Sequence, residues 1–217
     1  METAALAGVG LLVLGVVAWT MSKSTDPTAV VLQTATQSGK VSVSSPLTLP
    51  RSFNESEGAT FTFVGWMVVQ DFTFGFGKQR LVFSRGDCPG MYLDSTSNSL
   101  LFTIATYGAM ESVLISNIPS QKWIHFAIVV TQYTVDIYIN GTLRQHHTLA
   151  QLPKQSNTPT KIGSTNGFDG QVGGLTYYSR ALSPLEISAQ SMAVPPPSLV
   201  TSPAYGQYLD SSWFIGR

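Results

Sequence analysis

Hydrophobic and polar positions divide the chain into stretches of different rhythm. The first, Ala4 to Met21, reads AALAGVGLLVLGVVAWTM, 18 residues with no charge and no amphipathic stripe. As a helix rising about 1.5 Å per residue it spans roughly 27 Å, close to the thickness of a bilayer core. A cleaved signal peptide is the competing reading, but no basic residue precedes the run and no small-x-small site precedes Ser22. The pattern therefore predicts a single-pass membrane anchor over residues 1–22, with Ala4, Leu11, Leu12, Leu14 and Val17 in the apolar span and Trp19 at the interface. A lone Lys23, partly offset by Asp26, leaves the topology open.

Residues 23–50 are rich in Ser, Thr and Gln with scattered Val, a composition that makes a poor core and predicts an extended spacer. From 51 to 191, short β-prone runs alternate with turn residues: Phe61 to Val69, Arg80 to Phe83, Met91 to Leu93, Leu100 to Tyr107, Ser112 to Ser116, Trp123 to Thr131, Thr134 to Ile139, Thr142 to Thr148 and Gly170 to Tyr178. That cadence predicts an all-β sandwich. Asn140-Gly141 between two of the runs tolerates the positive φ of a type I′ hairpin, and Val135, Ile137 and Ile139 alternate onto one face. Ser183-Pro184-Leu185-Glu186 combines an N-cap, an early proline and a capping-box glutamate, and predicts one short helix. Residues 192–217 form an extended tail, Pro195 to Pro197 favouring a polyproline-like backbone. Its large residues either fold back onto the sandwich or anchor in a partner's groove; Pro196, Tyr205, Tyr208, Trp213 and Phe214 are the candidate partner contacts.

Charged residues make up only 11% of the chain, with 12 Lys+Arg against 12 Asp+Glu, which argues against a nucleic-acid grip. Ser and Thr together outnumber the charged types nearly two to one, so the surface is neutral and polar, as suits a protein packed among neighbours. Cys88 is the single cysteine, which excludes an internal disulfide, a multi-cysteine zinc site and a CxxC redox pair.

Several segments together resemble the laminin-G-like, concanavalin A-like jelly-roll domains, a fold shared with legume lectins, pentraxins and some glucanases. They are Phe61-Thr62-Phe63-Val64-Gly65-Trp66, Leu81-Val82-Phe83-Ser84-Arg85-Gly86-Asp87, Met91-Tyr92-Leu93, Trp123-Ile124-His125-Phe126-Ala127 with Tyr138-Ile139-Asn140-Gly141, Lys161-Ile162-Gly163, Phe168-Asp169-Gly170, and Tyr178-Ser179-Arg180-Ala181-Leu182-Ser183. The order and spacing cover about 130 residues. The resemblance implies a concanavalin A-like jelly roll over 51–191; read physically, Trp66 and Trp123 are expected as core anchors. No cofactor is expected. Calcium would come only from the resemblance, and Val172-Gly173-Gly174 stand where relatives commonly carry an acidic pair. The E-x-D-x-x-E strand of glucanases, whose paired carboxylates glycoside cleavage needs, is missing too, so the chain is expected to be no enzyme.

His125 lies in an apolar run and is expected in or near the core, while His146 and His147, adjacent on a strand, point to opposite faces and share no metal. Cys88 sits in the turn Gly86-Asp87-Cys88-Pro89-Gly90 and is expected to be structural. For sugar binding the usable groups are Asp94, Asn98, Asn166 and Asp169, with Phe168 to stack on a pyranose. Asn54 and Asn140 head glycosylation sequons, which count only on a luminal or extracellular face. The leading expectation is a structural protein tethered to a lipid bilayer and binding other proteins of an ordered assembly, such as a minor capsid protein joining a viral shell to an internal membrane in the virion. The alternative is a glycan-binding lectin or adhesion module on a membrane surface.

Overall fold

The computed structural model describes residues 26–52, 59–86, 88–165 and 167–199. The expected anchor at 1–22, both Asn54 and Asn166, and Tyr205, Tyr208, Trp213 and Phe214 lie outside these residues. Among the described residues no helix is long and apolar enough to cross a membrane.

Alternation of apolar and polar side chains makes half-buried strands of β7 (Leu100–Ala105) and β10 (Thr134–Ile139), whereas β9 (Ile124–Val130) is buried at every position. Two antiparallel sheets result. The first runs β1 (Ala29–Gln33), β13 (Asp169–Tyr178), β4 (Phe61–Asp71), β9, β10, β11 (Thr142–Thr148), with β2 (Gln37–Ser38) also pairing β13. The second runs β3 (Val43–Ser45), β12 (Thr160–Ile162), β5 (Arg80–Arg85), β6 (Gly90–Leu93), β7, β8 (Met110–Ile115). The protein is thus an all-β sandwich of two sheets. The nine expected strands are all present, but the segment read as a spacer is not one: it supplies β1, β2 and β3, whose backbones are held by ladders to β13 and β12.

Phenylalanines fill the space between the sheets. Phe83 of β5 stacks on Phe126 of β9 at 5.7 Å and meets Phe63 of β4 at 5.6 Å. Trp66 and Trp123, expected as core anchors, are only half-buried; Trp66 lies on the outward side of β4 and packs edge-on against His125 at 5.1 Å. The hairpin turns as expected, with φ of 51° at Asn140 and 76° at Gly141. So does the capping box: the Ser183 side chain accepts from the Glu186 N–H at the start of α1 (Pro184–Ser191), and Glu186 accepts from the Ser183 N–H.

Helix α1 covers one part of the first sheet's outer face, where Ile187 and Leu182 join Val64, Ala127, Val129 and Tyr138 in a second apolar cluster. The Thr62 hydroxyl fixes the approach to the helix by donating to the Arg180 carbonyl and accepting from the Leu182 N–H. Arg180 joins Asp26 (2.7 Å) to Glu186 (2.6 Å), and both carboxyls are held down to about 2, chiefly by hydrogen bonds from Thr28 to Asp26 and from Arg180 to Glu186. The tail covers the other part. Pro196 lies against Gly173, the Pro197 carbonyl accepts from Thr36, and the Leu199 N–H donates to Gln171. Pro196, expected to contact a partner, packs instead on its own sheet.

Candidate functional site

Arg80 opens β5 and would ordinarily be a surface residue, yet it is 1% exposed. Its guanidinium donates to the carbonyls of Phe72 (2.5 Å) and Phe74 (2.9 Å) in the β4–β5 loop and to the Asp94 carbonyl in the β6–β7 loop. Burial lowers its pKa, with Asp94 and Asp71 opposing the shift. A buried cation whose neighbours are backbone carbonyls acts as a clasp, because losing any of them would leave a buried charge poorly solvated. The Gly77 N–H adds a bond to the Ser95 carbonyl at 2.8 Å. Gly75, at φ 67°, could not take a side chain without crowding Arg80: its Cβ would stand 3.2 Å from Arg80 Cδ.

The same end gathers three more loops. Ser164 N–H donates to the Gly39 carbonyl, Gly39 N–H to the Gly170 carbonyl, and Ile118 N–H to the Asn98 carbonyl. Lys40 sits 4.4 Å above the Phe74 ring and 3.0 Å from Asp169. Asp94 accepts from the Ser97 hydroxyl at 2.7 Å and from the Ser97 N–H at 3.0 Å, and these bonds, with those from Thr96, lower its pKa. Asp71 is lowered by the N–H and hydroxyl of Thr73.

Of the expected sugar-binding residues, Asp94, Asn98 and Asp169 do come to one end of the sandwich, and Asn98 is exposed. Phe168 must be corrected. It is fully buried, its ring seated between Gly39 and Gly170, where a Cβ would lie 2.6 Å and 2.4 Å from ring carbons. It has no face for a ligand. The exposed rings at this end are Phe76, 63% exposed, and Phe74, 38% exposed and shared with Lys40. The sequence carried a signal for them: Asp71-Phe72-Thr73-Phe74-Gly75-Phe76-Gly77-Lys78 places three phenylalanines in a glycine-rich turn segment, where polar residues are the rule.

The histidines stand apart from this end. His125 is 2% exposed, burial lowers its pKa to about 4, and its Nδ1 has no hydrogen-bond partner. His146 pairs with Asp136 at 2.5 Å on the outer face, and His147 reaches Glu111 of β8 at 2.7 Å across the seam between the sheets, so the two rings do diverge. Among the described residues no three of His, Cys, Asp and Glu are grouped to hold a metal ion. Cys88 is buried at 2% exposure.

Two antiparallel sheets packed face to face, with several loops hydrogen-bonded together at one end, make a lectin-like sandwich fold. Residues 36–188 match the family described as the concanavalin A-like lectin/glucanases superfamily, and the chain belongs to it. A comparison with curated proteins finds no match. Among solved structures the chain is similar to the binding domain of Paraclostridial Mosquitocidal Protein 1, at 16% identity and TM-score 0.59 over 77% of this chain and 46% of that one. It is also similar to the receptor binding domain of botulinum neurotoxin D, at 13% identity and TM-score 0.54 over 66% of this chain and 38% of the other. A third is the botulinum neurotoxin DC binding domain in complex with SialylT, at 14% identity and TM-score 0.51, covering 61% and 35%. The chain spans less than half the length of these structures, and the likeness establishes the fold alone.

Proposed function

We propose that the chain is a non-catalytic glycan-binding module whose ligand lies on the loop end, stacked on Phe76 and hydrogen-bonded by Asn98, Asp169 and the backbone of the β6–β7 loop. The observation that carries this reading is Phe76: a phenyl ring 63% exposed on a loop that the buried Arg80 holds rigid. An exposed ring on a mobile loop is a weak platform, whereas one fixed in advance presents its face without an ordering cost. Two of the similar neurotoxin structures support the choice of ligand class, one being a complex with SialylT and the other belonging to botulinum neurotoxin type C, whose cell entry is dependent upon interaction with two ganglioside molecules. An anchor at 1–22 would display the module on a membrane surface.

The test is glycan-array binding of the full chain followed by calorimetry on the best ligand. Phe76→Ala is expected to weaken binding at least tenfold with an unchanged unfolding midpoint. An array without a reproducible ligand, or binding indifferent to Phe76→Ala and Asn98→Ala, overturns the proposal. The assembly reading has one observation in its favour, the row of apolar and aromatic side chains Leu81, Tyr92, Leu101 and Leu114 across the second sheet, of which Leu114 is half-exposed.

A further inference from the structure

Among the described residues the two sheets end in β1 and β11 and in β3 and β8, and three of these four terminal strands carry a device that discourages pairing. β11 bears Arg144 and His146 and a register shift, β1 is broken by a shift between Val31 and Gln33, and β3 is three residues long and runs into Pro46. The fourth, β8, has no bulge, proline or outward-pointing charge. It is six residues in unbroken register with β7, without proline, glycine or lysine. Its one charge, Glu111, turns inward to His147 at 2.7 Å and to the Ala150 N–H at 2.9 Å. Its outward side chains are Met110, Ser112 and Leu114, and Met110 and Leu114 are 57% and 50% exposed.

We propose that two copies of this chain associate edge to edge through β8, antiparallel, with Ser112 facing Ser112 across the twofold axis. Outward residues must meet outward residues in a continued sheet, so a symmetric pairing centres on Ser112 or on Val113. Centring on Ser112 sets Met110 of each copy opposite Leu114 of the other, twice, and keeps both Glu111 carboxylates on the inner side with their own histidines. Centring on Val113 sets Leu114 opposite Ser112 and Met110 opposite Ser116, so no two outward apolar residues meet. The first register is self-complementary, as an isologous contact requires. A formal net charge of zero puts no long-range repulsion between copies.

The experiment uses the full chain with Ser112→Cys. Residues directly opposite in an antiparallel pair have Cα atoms about 4.5–5.5 Å apart, within disulfide range. Cys88 is buried and does not compete. Mild oxidation is expected to give a covalent dimer linked 112 to 112 by peptide mapping, at least about tenfold faster than Gln145→Cys on the β11 edge, because pairing raises the effective thiol concentration. Native mass spectrometry of the unmodified chain is expected to show a dimer that Met110→Lys with Leu114→Lys converts to a monomer of unchanged circular dichroism. Equal cross-linking at positions 112 and 145, a monomeric unmodified chain, or a dimer that survives the two lysines each overturns the proposal.

Discussion

The outer face of the first sheet and the outer face of the second are made of similar antiparallel strands, yet they are finished in opposite ways. On the first, α1 and the Pro196–Leu199 stretch lie over Val64, Val129, Tyr138, Gln171 and Gly173, so strands such as β9 are apolar on both sides. On the second, Leu81, Tyr92, Leu101 and Leu114 form one row across four paired strands, and Leu114 is half-exposed. Covered faces read as continuous hydrophobic runs and bare ones as alternation. Among the described residues the first sheet's outer face is packed by the chain's own helix and tail, whereas the second keeps partly exposed apolar side chains such as Leu114.

Removing the cover should give the largest effect. Ile187 is the fully buried residue of α1, packed on the first sheet, and Ile187→Ala is expected to cost about 2–4 kcal/mol, measured by urea unfolding of the full chain. A cost below about 1 kcal/mol would show that α1 rests loosely on the sheet and that the contrast between the faces is overstated.

The covered face also hides His125, and this gives the next effect. Its pKa is about 4 in the folded chain against 6.5 unperturbed, so the unfolded chain takes up a proton first as pH falls. Stability from this group is complete above about pH 7, declines through the window from 6.5 to 4, and is fully lost below 4. The loss between pH 8 and pH 5 is about 2 kcal/mol. Asp26 and Glu186, both held to about 2, lose their contributions only below their unperturbed values of 3.8 and 4.5, so the interval from 5 to 6.5 lies clear of both carboxylates, and the comparison with His125→Phe separates this ring from the paired His146 and His147. Chemical denaturation across that interval should show a slope in the native chain that His125→Phe flattens. Parallel slopes would mean that the ring reaches water or a partner at acid pH.

Much of this organisation was legible in the sequence, and what was not has physical causes. Strands such as β10 announced themselves because alternation records a face against the core, and Asn140-Gly141 fixed the turn. β2 and β3 stayed hidden because they are two and three residues long, largely polar, and held by backbone ladders rather than by side-chain burial. At the loop end, Asp94, Asn98 and Asp169 lie at one end of the sandwich, but Phe168, expected beside them as an open ring, is fully buried. Phe168 and Phe76 both sit among glycines, and only the slot between Gly39 and Gly170, brought together by pairing of distant segments, turns one ring inward. Arg80 was missed because a charged residue at a strand start is ordinarily exposed; its burial depends on carbonyls from two separate loops.

The smallest expected effect is on the bare face, and it is the sharpest check on the contrast. Leu114→Thr introduces a β-branched, strand-compatible side chain while removing apolar surface that is already half in water. At dilutions where the chain is monomeric it should change unfolding free energy by no more than about 0.5 kcal/mol, since surface substitutions away from packed contacts rarely do more. The same substitution removes one partner from each Met110–Leu114 pair at the β8 edge, so its effect should appear instead in self-association. A cost in the monomer comparable to that of Ile187→Ala would mean that part of this chain lies over the second sheet, and that both faces serve stability. A silent monomer with weakened dimerisation would leave stability and association on opposite sides of the sandwich, which is the division that the row from Leu81 to Leu114 implies.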